Sequence, residues 1–316
     1  MPRPRVTLVD VVTLALALAM LLALGVPVIV NARSGGNEVN CASNLKQIGL
    51  AILLYSNNNK GAYPRTRADV DPTWWTAYSN PLKSQPFDED GPFPNDVTAA
   101  LFLLLRTQQI TPDVFVCPFT KNLKPWDYGG SSRMALDCSN FPSGRHLGYS
   151  YINPYPSAAA KNAGYRLNNS ITAEVAVLAD MNPGGLELLG LTATSPPKEL
   201  KRGNSRNHYQ GRGQTVLFGD GHVELVQTPF VGVQRDHIYT FGKSGTAGGG
   251  EGIVGSPVDA NDSVLLPVAS IDPGSPPDPW EKPTWRNYAI GVVIATAALA
   301  FAVRLWVRSR RRPLAE

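Results

Sequence analysis

The chain is short of charge: only 17% of its 316 residues are Asp, Glu, Lys or Arg, against 43% apolar. What charge there is lies at the ends. Residues 1–31 carry Arg3, Arg5 and Asp10, and residues 304–316 carry five Arg and Glu316, so the overall +4 leaves the long middle at about −1. A near-neutral middle has no electrostatic footprint for phosphate backbones, which excludes nucleic acid as a partner. Catalytic signatures are missing as well. There is no Ser-centred elbow, phosphate loop, H-E-x-x-H or paired C-x-x-C, and Cys117-Pro118 has no His-bearing nucleophile signature. The chain is therefore read as a non-enzyme that needs no cofactor. Cysteine is scarce, with Cys41, Cys117 and Cys138 permitting one disulfide, of which Cys117–Cys138 is the more local choice. Cys41 itself reads as a small buried residue.

Glycine (29) and proline (27) are plentiful, which signals turns and tethers. Two charge-free apolar stretches stand out. Val11–Val30 is long enough for a helix of about 30 Å, the hydrocarbon thickness of a bilayer. A cleaved secretory signal ending near Val30-Asn31-Ala32 is the competing reading, although signal cores are usually only ~7–15 residues long. The second stretch starts at Tyr288 and is completed to Val307 if Arg304 snorkels, with Trp306 and Tyr288 at the interfaces. A buried Ala-rich helix is its alternative. Arg3 and Arg5 before the first stretch, and Arg308 to Arg312 after the second, place both termini in the cytoplasm by the positive-inside rule.

These features divide the chain into an N-terminal transmembrane helix (1–31), an extracytoplasmic domain (37–240), a Gly/Pro-rich linker (241–286), a C-terminal transmembrane helix (288–307) and a basic tail (308–316). Ser34-Gly35-Gly36 is expected to break the first helix. A second helix follows, with Cys41, Leu45, Ile48, Ile52 and Tyr55 on one face for packing on a sheet. It should stop at Asn57–Gly61. Residues 61–98 read as an irregular loop, and Val97–Gln109 as a helix capped by Asn95 or Asp96. Strands are expected to end at Val114–Val116, to span Gly148–Ile152, and to span Glu174–Ala179 up to Asp180. The strongest local signal is a hairpin at Thr215–Val226 with a type I′ turn at Asp220-Gly221, pairing Phe218 with Val223 and Val216 with Leu225.

The opening V-T-L-V-D at residues 6–10, the C-A-S-N-L-K-Q-I-G-L string at Cys41–Leu50, Cys117-Pro118, a strand ending in Asp180, and the hairpin V-L-F-G-D-G-H-V together resemble a family. It is the bacterial pseudopilin-like group of unknown function with a prepilin-type N-terminal segment and a C-terminal H-x9-D-G motif. The motif positions are Cys41, Asn44, Leu45, Lys46, Gln47, Cys117, Pro118, Asp180, His208, Asp220 and Gly221. The resemblance implies an α+β, pilin-like fold: an N-terminal helix packed on an antiparallel sheet with long irregular loops. It implies a place in the bacterial cytoplasmic (inner) membrane, with membrane lipid and other pilin-like or secretion-system proteins as partners. The chain departs from the pattern twice. Arg5 stands where prepilin peptidases take a small residue, which implies an uncleaved anchor outside any filament. His208 lies twelve positions before Asp220, two more than the motif has.

Two binding readings follow from the residues. His208, His222, Asp220 and Asp180 could gather around a divalent cation, but Asp-Gly also serves a tight turn and His208 a turn carbonyl; no metal is expected. Trp74, Trp75, Tyr78, Trp126 and Tyr128 could stack on a glycan or another small ligand, or could be loop packing.

Overall fold

The computed structural model describes residues 7–69, 75–107, 110–120, 122–130, 132–208, 211–242 and 250–269; within its first helix, the side chains of residues 8–9, 16, 19 and 22–34 lie outside the description. Two units are distinguished, Asn37–Pro276 and a second formed by Met1–Gly36 with Pro277–Glu316.

Asn37–Pro276 is α+β. Its sheet has five strands, β1 (Tyr149–Ile152), β2 (Ala176–Asp180), β3 (Gln214–Phe218), β4 (Val223–Val226) and β5 (Leu265–Leu266), in the order β4-β3-β2-β1-β5. Every neighbouring pair is antiparallel. The helices are α1 (Leu8–Asn58), α2 (Val97–Thr107) and the short α3 (Ala158–Asn162) and α4 (Pro197–Gly203).

The apolar stripe on α1 does what its spacing predicts. Cys41, Leu45, Ile48, Ile52 and Tyr55 are all buried, while Lys46 and Gln47 face out. Gly49 lies so close to β3 that an added Cβ would stand 2.9 Å from Leu217 Cδ2. The helix stops where Lys60 and Gly61 take positive φ (55° and 84°) and Gly61 N–H returns to Ser56 O. The expected break at Ser34-Gly35-Gly36 does not occur: α1 runs through it. Neither glycine has positive φ, and glycine costs a helix only about 1 kcal/mol without forbidding it. Among the described residues no helix is long and apolar enough to cross a membrane. The later part of Val11–Val30 belongs to the undescribed side chains, and the segments 288–307 and 308–316 lie outside the described residues.

α2 is buried from Val97 to Leu105, and Asp96 caps it by accepting from Ala99 N–H at 2.9 Å. Gln108 and Gln109 lie outside the described residues. The strand expected at Val114–Val116 is instead a 3-10 turn over Pro112–Phe115, which Pro112 initiates.

The hairpin forms with its register moved by one residue: Leu217 pairs with Val223 and Val216 with Glu224. The turn is the reason. Gly221 alone has positive φ (84°), its N–H bonds to Phe218 O at 2.9 Å, and Phe218 N–H bonds to His222 O. This is a three-residue loop closed by a left-handed glycine, one residue longer than a type I′ turn. The tether expected over 241–286 is corrected too. Its residues 250–269 belong to the domain: β5 pairs with β1, and Val264, Leu265 and Leu266 are fully buried. Residues 243–249 and 270–286 lie outside the described ones.

Candidate functional site

A buried polar cluster is built where α1, the Cys117 loop and three strands meet. Register sets Tyr149 of β1 directly across from Asp180 at the end of β2. Cys41 arrives from the buried face of α1, and Cys117 from the loop after the 3-10 turn. All four are 0% exposed. Cys41 Sγ–H is aimed at Asp180 Oδ1 at 3.1 Å, and lies 3.6 Å from Cys117 Sγ and 3.5 Å from the Tyr149 hydroxyl. Asn44, one turn on, donates to Val116 O (3.1 Å) and to Tyr149 Oη (3.3 Å), tying helix, loop and strand together.

Asp180 is the hub. Its Oδ2 accepts from Thr215 N–H (2.6 Å) and from His208 Nε2 (2.8 Å), and its Oδ1 accepts from Cys41 and from Asn207 Nδ2 (3.2 Å). A buried carboxylate survives only with such partners. Burial pushes its pKa up, but His208 and the other donors outweigh that and hold it below the usual carboxylate range. Burial likewise pulls His208 down, and the bonds to Asp180 and Cys41 outweigh it, raising the imidazole to about 10. His208 also packs against Phe119 in a tilted arrangement, ring centroids 4.2 Å apart, and its Nδ1 has no partner among the described residues. Cys41 is pushed well above the ordinary thiol range by its contact with Cys117, by burial and by the Asp180 charge. A protonated, fully enclosed thiol is a poor nucleophile, and Cys41 is placed to donate a hydrogen bond to Asp180.

The structure thus brings together Cys41, Cys117, Asp180 and His208, with Asn44 at their edge through Tyr149, and leaves the other residues of the sequence reading elsewhere. Asp220 and His222 sit at the hairpin tip, beyond the far end of β3, roughly 10 Å or more along the strand from Thr215. Both are half exposed. There Asp220 Oδ1 accepts from His222 N–H (2.9 Å) and Nδ1 (2.5 Å), and the imidazole stacks on Phe218 at 4.5 Å. That is turn architecture, closed from the helix side by Lys46, which donates to Gly221 O. Gln47 bonds back to Ser43 of its own helix, Leu45 is core, and Pro118 is half-buried.

The aromatic loops turn inward. Trp75, Tyr78 and Tyr128 pack against the core, and Trp126 is 5% exposed with its ring against Phe102; Trp74 lies outside the described residues. The local disulfide Cys117–Cys138 is not formed: all three cysteines are free, and Cys138 Sγ faces Tyr128 O instead. Sequence reasoning missed Asn207, Thr215, Tyr149 and the part played by Cys41. Only the adjacency of Asn207 to His208 was visible in advance; the others join through tertiary contact.

No family model, curated protein or solved structure matches the chain.

Proposed function

We propose that the chain is a membrane-anchored, pseudopilin-like structural or interaction protein of the bacterial envelope, held outside any filament. The observation that carries the reading is α1, which runs from Leu8 through the uncharged Val11–Val30 segment and ends in a face buried against an antiparallel sheet. A helix that starts as an anchor and finishes as the spine of an α+β head is the pilin plan. The prepilin-type opening and the C-A-S-N-L-K-Q string support it, since Asn44, Leu45 and Lys46 each fasten that helix to the head. Arg5 before Val6 keeps the segment as a permanent anchor, and with the stretch from Tyr288 it makes the protein two-pass, with the head extracytoplasmic and both ends cytoplasmic. The cluster around Asp180 serves as the clamp between helix and sheet, with no reaction assigned to it. Membrane lipid and other pilin-like or secretion-system proteins are the partners this reading names.

Intact mass and N-terminal sequencing of the membrane-extracted protein test the anchor. The expected chain retains Arg5, whereas one beginning at Val6 with a methylated amine overturns the reading. Protease added to spheroplasts should cut the head; full protection of residues 37–269 would refute the topology.

A further inference from the structure

We propose that Cys41, Cys117 and Asp180 form a thiolate-rich metal site of the kind that takes Zn²⁺. Their three ligand atoms lie within 4.8 Å of one another, and each residue is fully buried. The sulfur–sulfur distance is informative. At 3.6 Å it is far from the roughly 2.05 Å of a disulfide. Two Zn–S bonds of about 2.3 Å at a tetrahedral angle place their sulfurs about 3.8 Å apart, which nearly equals what is found. The carboxylate is oriented for the task. Asp180 Oδ2 is occupied by Thr215 N–H and His208, which turns Oδ1 toward Cys41 at 3.1 Å. About 0.4 Å of adjustment gives the spacing of a sulfur and an oxygen on one zinc. Asn207 also donates to Oδ1 and helps fix it. Ligand carboxylates are usually held by such outer hydrogen bonds. The Tyr149 hydroxyl lies 3.5 Å from Cys41 Sγ, and the three protein ligands leave a fourth position of the tetrahedron for water.

Binding balances simply. Each thiol gives its proton to solvent as its sulfur bonds the metal, and no electrons move. The 2+ charge offsets the two thiolates. Two sulfurs select a borderline-soft ion such as Zn²⁺ over Mg²⁺ or Ca²⁺, which prefer oxygen shells. His208 acts here as a positioning residue that holds Asp180 and makes no metal bond. The site stands independently of the membrane reading.

The test uses the full chain purified in detergent, reduced, loaded with Zn²⁺ and washed with a weak chelator. Metal analysis should find about one Zn²⁺ per chain. Cys41→Ser and Cys117→Ser should each cut retention roughly tenfold or more, and Cys138→Ser should leave it unchanged. His208→Gln should weaken affinity about 10–100-fold in chelator competition without abolishing binding. Because the cysteine variants could misfold, Co²⁺ added to the wild-type chain gives a second readout: thiolate-to-cobalt charge-transfer absorption in the near ultraviolet. A reduced wild-type chain that holds no Zn²⁺ and shows no such band overturns the proposal. So does equal metal loss in Cys138→Ser, or a protein isolated about 2 Da light with Cys41 and Cys117 resistant to alkylation, which would be a disulfide.

Discussion

The docking of α1 on the sheet can be tested by filling the narrowest point between them. Gly49 sits inside a helix, where glycine is about 1 kcal/mol worse than alanine, so local preference favours replacing it. The neighbours do not. An added Cβ would lie 2.9 Å and 3.0 Å from the two methyl carbons of Leu217, with Ile52 and Val177 beside them. Gly49→Leu gains about 1 kcal/mol of helix preference and loses about 1–3 kcal/mol by overpacking. Since Leu217, Ile52 and Val177 are each at most 2% exposed and have little room to yield, the upper part of that range applies, and the net loss should be about 1–2 kcal/mol. Leu217→Ala alone should cost about 2–5 kcal/mol through the cavity it opens. In the double variant the new leucine enters the vacated space, so the pair should be more stable than the sum of the singles by about 1–3 kcal/mol. Guanidinium unfolding of the detergent-solubilised chain, followed by tryptophan emission, to which the buried Trp126 contributes, measures all four corners of the cycle. Additivity within about 0.5 kcal/mol, or a Gly49→Leu chain more stable than wild type, would refute the packing of helix on sheet.

Three further outcomes follow from the same coordinates. His208→Ala should destabilise the fold by about 3–5 kcal/mol, because it strands the Asp180 charge in the core, whereas His222→Ala at the exposed turn should leave the unfolding midpoint unchanged. Burial holds His237 neutral, down to about 3, so an unfolded chain takes up a proton that the folded one refuses. Relative to His237→Gln, the wild type should keep its stability above about pH 6.5 and lose it progressively as pH falls towards about 3, read from denaturation midpoints across that range. Asp262 behaves in the opposite sense, since burial and then the nearby Asp236 raise it to about 8. Its contribution is complete below about pH 4, where both states are protonated, and falls as pH rises to about 8; Asp262→Asn should flatten that alkaline decline in the same titration.

Much of this was legible in the sequence because it is governed by local periodicity and caps. The stripe from Cys41 to Tyr55, the Asp96 cap and the strands at Tyr149–Ile152 and Ala176–Asp180 all follow from side-chain spacing. The hairpin was legible except for its register, because Asp220-Gly221 serves a two-residue turn or a three-residue loop with the same letters. β5 was hidden: two residues inside a Pro- and Gly-rich stretch have no detectable period, and only the free edge of β1 makes them a strand. The glycine pair in α1 was over-weighted, since glycine weakens a helix without ending it. The site was half visible. Asp180 and His208 stood out as residue types at the end of a strand and near a hairpin, but nothing in sequence spacing can show that Cys41 on a helix reaches Cys117 and Asp180.

The distances along the chain that the Asp180 cluster spans bear on how the protein folds. Cys41 meets Cys117 across 76 residues, Tyr149 across 108 and Asp180 across 139. Contacts of that separation close late, after the loop entropy between them has been overcome. Until all of them close, a half-assembled cluster would leave a carboxylate, thiols and a phenol without partners, so water has to remain among them. The cluster thus joins segments far apart in the chain, and its hydrogen bonds are complete only when the helix, the strands and the Cys117 loop are all in place.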